Sequence, residues 1–91
     1  MEIVVKAYAL LKERIGQGEL ALNIENGASL RKLIAILGER CGPDIEKMLL
    51  TSTGDIDPDV LVSHNGKRIT NVDASLSDGD LVLFLSPMPG G

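Results

Sequence analysis

The chain has 91 residues, a formal net charge of −4 and only two aromatic side chains, Tyr8 and Phe84. An acidic chain this poor in aromatics lacks both the basic footprint and the stacking platform of a nucleic-acid binder, and its balance favours a basic protein partner. Cys41 is the only cysteine, so no internal disulfide forms. The length suits one domain able to bury its own core.

No basic segment precedes an apolar run at the N-terminus, and no apolar stretch is long enough to span a bilayer. The expected setting is cytoplasmic, with neither a membrane nor a nucleic acid as partner.

Residues 2–9, rich in β-branched side chains, predict a first strand. Leu10 to Ile15 predict a short helical turn, broken by Gly16-Gln17-Gly18. Residues 19–25 alternate, with Leu20, Leu22 and Ile24 on one side and Glu19, Asn23 and Glu25 on the other, as in a half-buried strand. The short polar link between the two strands predicts an antiparallel hairpin.

Ser29 is placed to cap a helix whose Leu30, Leu33, Ile34 and Leu37 fall at i, i+3, i+4 and i+7, one apolar stripe. Gly42 and Pro43 end it, and a second short helix is predicted from Asp44 to Leu50. Thr51 to Asp59 is dense in turn formers. Its alternating Asp55, Asp57 and Asp59 superficially resemble a calcium loop, but the sixth and twelfth positions of that pattern hold Val60 and Gly66 instead of Gly and Glu, so no metal is expected.

Residues 60–64 predict a strand. Asn65-Gly66 predicts a two-residue type I′ hairpin turn, in which both positions need positive φ, and Lys67 to Thr70 return. Asp78-Gly79 predicts a second tight turn. Residues 80–85 are nearly all apolar, which suits a strand in the middle of a sheet covered on both faces or nearly so. The element order predicts a two-layer α+β arrangement with the last strand parallel to the first.

The chain ends in Pro89-Gly90-Gly91. Glycine lacks a Cβ, so such an end passes through a narrow channel and leaves its last carbonyl unhindered. Among the other reactive side chains, His64 reads as structural or solvent-facing. Cys41 reads as a small half-buried hydrophobe, and Lys6, Lys12, Lys32, Lys47 and Lys67 read as solvated.

Three stretches together carry a family resemblance. They are residues 54–60 leading into Ser63-His64-Asn65-Gly66-Lys67-Arg68-Ile69, then Leu76-Ser77-Asp78-Gly79-Asp80 with the apolar strand through Leu85, then the Gly90-Gly91 end. The chain resembles a MoaD/ThiS-type ubiquitin-like sulfur carrier, most of all the molybdopterin synthase small subunit in its archaeal form, and the resemblance covers its whole length. It departs in one place: relatives often carry two prolines after the aromatic strand, and here Met88 separates Pro87 from Pro89. The loop at 51–59 makes the chain longer than typical thiamine-pathway carriers, which tilts the resemblance toward the molybdopterin branch.

The resemblance implies a β-grasp domain over residues 1–85, with a mixed five-stranded sheet on one main helix, and a flexible tail over 86–91. It implies that Gly91, approached through Gly90, is adenylated with ATP and Mg²⁺ by an E1-like enzyme of the MoeB/ThiF type. Conversion to a thiocarboxylate follows, and sulfur is donated inside a MoaE-type large subunit. On that reading the chain binds no cofactor and is not an enzyme alone. Phe84, Leu85, Pro87, Met88 and Pro89 are the candidate docking residues before the reactive end, a single aromatic in a partner's pocket being able to dominate binding. Two alternatives share the activation step: a ubiquitin-like modifier conjugated to lysines through Gly91, and a thiamine-pathway carrier. A third reading is an inert interaction domain with an incidental Gly-Gly.

Overall fold

A computed structural model describes residues 1–85; Pro87, Met88, Pro89, Gly90 and Gly91 lie outside the described residues. The elements are β1 (Glu2–Ala7), α1 (Ala9–Ile15), β2 (Glu19–Asn23), α2 (Leu30–Cys41), α3 (Asp44–Leu49), β3 (Leu61–His64), β4 (Lys67–Arg68) and β5 (Leu81–Leu85). The five strands form one sheet in the order β2-β1-β5-β3-β4. β1 runs antiparallel to β2 and parallel to β5, with Val5 opposite Val82 and Ala7 opposite Phe84. β5 is antiparallel to β3, which is antiparallel to β4. The sheet is therefore mixed and the fold is a β-grasp, with the last strand central and parallel to the first.

Period-two alternation decides what each strand buries. Ile3, Val5 and Ala7 of β1, Leu22 of β2, Val62 of β3, and Val82 and Phe84 of β5 point to one side, all within 2% of complete burial. Leu30, Leu33, Ile34 and Leu37 of α2, Leu11 of α1, and Ile45 and Leu49 of α3 complete this single core. Ser29 caps α2 as its position suggests, its hydroxyl accepting the Lys32 amide at 3.2 Å. Asn65 and Gly66 have φ of 52° and 86°, the positive pair that a type I′ turn requires.

The run of apolar residues in β5 is covered on one face only. Val82 and Phe84 are buried, Leu81 and Leu83 are half-buried, and Leu85 is exposed. An all-apolar strand reads as covered on both sides because hydropathy does not say which face the helices take. Here all three helices join the core on one face, and the other face keeps its apolar residues at the surface.

Candidate functional site

The site lies where β5 hands the chain over to its last six residues. Residues paired across a sheet share a face, and the register assembles the open face of the sheet. Val4 sits opposite Ala21 and Leu81, Lys6 opposite Leu83 and Glu19, Ser63 opposite Leu83, and Leu61 opposite Leu85. The result is a half-exposed apolar strip of Val4, Leu81, Leu83 and Leu61 across three strands. The Lys6–Glu19 ion pair, at 3.7 Å, borders it.

Beyond Ala7 opposite Phe84, the same parallel register brings Tyr8 beside Leu85. Tyr8 is still extended, with φ −130° and ψ 160°, so it shares the open face with Lys6. Tyr8 and Leu85 are each 43% exposed, and they are the two exposed large hydrophobics among the described residues. Both stand at the exit point of the tail.

Of the five docking residues expected from the sequence, two lie within the described residues, and they part company. Phe84 is fully buried, packed into the core opposite Val62 and Ala7, so it presents no surface to a partner. Its odd-numbered neighbour Leu85 faces outward. The exposed aromatic is Tyr8, which sequence reasoning placed inside a strand and passed over. The available signal was register: once β1 and β5 are read as parallel, an aromatic at the end of β1 falls beside the end of β5.

The opposite end of β5 is fixed by polar groups. Asp80 is 7% exposed and is the one buried charged residue among those described. Its carboxylate accepts the His64 Nε2–H at 2.5 Å, the Asn65 side-chain amide at 2.8 Å and the Ser77 backbone N–H at 2.7 Å. The Asn65 side-chain oxygen in turn accepts the Leu81 N–H at 2.8 Å. Burial alone would raise the Asp80 pKa. The hydrogen bonds from Asn65, His64 and Ser77, with the electrostatic attraction of His64, outweigh it and hold the carboxyl below its ordinary value. His64 is thus a structural residue bound to a carboxylate, as one of its two sequence readings had it.

The remaining singled-out residues stay apart from this site. Cys41 is half-buried against the core. Lys12, Lys32, Lys47 and Lys67 are exposed and Lys6 is partly covered. In the 51–59 loop, Asp57 accepts the Asp59 amide at 2.8 Å and Asp55 accepts the Thr53 hydroxyl at 3.4 Å. Among the described residues, no group of three or more His, Cys, Asp and Glu side chains is placed to hold a metal. No helix there is long and apolar enough to cross a membrane.

A five-stranded mixed sheet on one helical layer, with an apolar open face leading to the chain end, defines a ubiquitin-like domain of the β-grasp type. The chain belongs to the ThiS family, whose match runs over residues 5–91. No curated protein matches it at a significant level. Among solved structures it is similar to SAMP1 from Haloferax volcanii, with a TM-score of 0.84, 20% identity and full coverage of both chains. It is also similar to a Pyrococcus furiosus protein assigned as molybdopterin converting factor subunit 1, with a TM-score of 0.79, 26% identity, and coverage of 97% of this chain and 99% of that one. A third is a protein–protein complex of subunits 1 and 2 of the molybdopterin-converting factor from Helicobacter pylori, with a TM-score of 0.64, 23% identity and full coverage of both chains.

Proposed function

We propose that this chain is the sulfur-carrying subunit of a molybdopterin synthase-type system, with Gly91 as its reactive residue. The observation that carries this reading is the placement of Tyr8 and Leu85. The exposed apolar anchors of the body stand where the chain leaves for a Gly-Gly end, so a partner gripping them receives the tail. Membership of the ThiS family and similarity to a protein assigned as molybdopterin converting factor subunit 1 support the same reading.

The chemistry follows from the weakness of a carboxylate as an electrophile. An E1-like partner supplies ATP and Mg²⁺. A Gly91 carboxylate oxygen attacks the α-phosphorus, pyrophosphate leaves, and an acyl-adenylate forms. A persulfide sulfur then attacks the acyl carbon and AMP departs. A thiol cleaves the remaining S–S bond, which leaves a Gly91 thiocarboxylate. This anion is a good nucleophile, as thiolates are, and a MoaE-type large subunit would hold it beside the pterin precursor. The body of this chain contributes docking and presentation. The open apolar face suits the large subunit and the adenylating enzyme in turn, since both must grip the body while the tail enters their own active sites.

Intact-protein mass spectrometry after incubation with ATP, a persulfide donor and the adenylating enzyme tests the reading. The expected result is a mass gain matching exchange of one oxygen for sulfur, localised to Gly91. No gain, with the enzyme active on another carrier, overturns it. High-mass adducts on target lysines without sulfur transfer would assign the chain to protein modification instead.

A further inference from the structure

A second surface lies on the other side of β3 from the exit of β5. A cleft of about 240 Å³ opens between the end of the 51–60 loop and the strand returning from the Asn65-Gly66 turn. Ile56, Pro58, Val60 and Ile69 give it apolar walls, and Arg68 and Thr70 form its polar side, with Asp57 also at its edge. Asp57 already accepts the Asp59 amide. Arg68 is exposed and makes no ion pair among the described residues.

The strand register fixes how far this cleft is from the chain end. Leu85 is paired with Leu61, and Ser63 with Arg68. The Ile69 amide donates to the Val62 carbonyl at 2.9 Å, which continues the β3–β4 register and carries Thr70 to the row of Leu61. Leu85, Leu61 and Thr70 thus lie in one row across the sheet. At a strand spacing of about 4.8 Å, the last described residue is about 10 Å from the wall of the cleft. The six residues from Ser86 to Gly91 reach about 20 Å when extended, and Pro87 and Pro89 favour extended backbone. The segment is long enough to cross β3 and set its terminal carboxylate beside Arg68.

We propose that this cleft is the resting site of the chain's own C-terminal segment, with Pro87 and Met88 against Ile56, Pro58 and Ile69, and the Gly91 carboxylate paired with Arg68. The proposal rests on the reading above in one respect, that Gly91 carries a free carboxylate. The contact is intramolecular, so a short tether supplies a high effective concentration and modest contacts suffice to populate it. Modest contacts are also what a carrier needs. A tail held tightly would tax every handover by the fraction of time it is docked, whereas a weakly held one is released when a partner grips Tyr8 and Leu85. The device shields an apolar, reactive end between partners.

The test is NMR on the full chain without any partner enzyme, so its outcome is independent of sulfur transfer. Nuclear Overhauser contacts are expected from the Met88 methyl to the methyls of Ile56 and Ile69, unchanged on tenfold dilution. Arg68→Gln should weaken them and shift the Gly91 amide, while Lys67→Gln, one residue away and outside the cleft, should leave both unchanged. Absence of these contacts in the wild type overturns the proposal. So does their loss on dilution, which would assign the cleft to the tail of a second copy. An Arg68→Gln spectrum identical to wild type at Gly91 would also overturn it.

Discussion

The contrast between Phe84 and Leu85 shows how one step along a strand changes a residue's role. The two are adjacent and both apolar, yet Phe84 is fully buried and Leu85 is 43% exposed, because successive side chains point to opposite faces. Phe84→Ala should therefore cost about 3–5 kcal/mol of stability, the usual range for emptying an aromatic site in a core. Leu85→Ala should cost under about 1 kcal/mol, as for most surface changes. Urea denaturation of the two variants checks this, and equal losses would contradict the assigned faces. Asp80 adds a residue-scale prediction in pH. Its folded pKa lies below the ordinary value of 3.8, so it contributes stability that is present above pH 4. That contribution is lost as pH falls through the ordinary value toward the folded one. Asp80→Asn, which replaces one acceptor oxygen with a donor, should be less stable than wild type by about 1–3 kcal/mol at pH 6. The gap should narrow below pH 4, and a gap of constant size down to pH 2.5 would rule out the linkage.

At the scale of elements, Arg31 at the start of α2 ties two loops to the helix. Its guanidinium donates to Asp73 at 2.9 Å and to the Gly54 carbonyl at 3.0 Å. Gly54 has φ of +87°, and a Cβ there would come within 2.9 Å of the Arg31 guanidinium. Gly54→Ala should destabilise the chain by about 1–2 kcal/mol, from left-handed backbone strain and displacement of Arg31. Hydrogen exchange should show faster exchange at the Gly54 and Thr51 amides, and unchanged rates would mean that the clamp is not restraining the loop. The elements themselves were largely legible. The alternation of β2, the stripe of α2 and the Asn65-Gly66 turn are local patterns, and each formed where its residues indicate. Edges shifted by a residue or two, as with β1, read to Ala9 but ending at Ala7, and β4, read to Thr70 but ending at Arg68. What the sequence hid is set by non-local pairing. The open face of β5, the neighbouring of Tyr8 and Leu85, and the convergence of His64 and Asn65 on Asp80 all depend on partners far apart in the chain. Local periodicity carries no such information.

For the whole molecule, the proposed function divides labour between a body that docks and an end that reacts. Tyr8, at the exit on the open face, belongs to the body and not to the segment that carries Gly91. Its contact with a partner is made equally before and during reaction, and such uniform binding sets KM and leaves kcat unchanged. Tyr8→Ala should therefore raise the KM of the adenylating enzyme for this chain about 5- to 30-fold, the scale of losing one aromatic anchor worth about 1–2 kcal/mol, with kcat near wild type. Gly91→Ala should do the reverse. The added methyl leaves the folded body untouched, but it crowds the carboxylate that the proposed reaction adenylates, so kcat should fall at least tenfold with little change in KM. Steady-state kinetics of both variants, with thermal unfolding to show that neither is less stable than wild type by more than about 1 kcal/mol, separates the two roles. If Tyr8→Ala lowered kcat instead, docking and presentation would not be separable, and the tail would owe its alignment to the aromatic beside it.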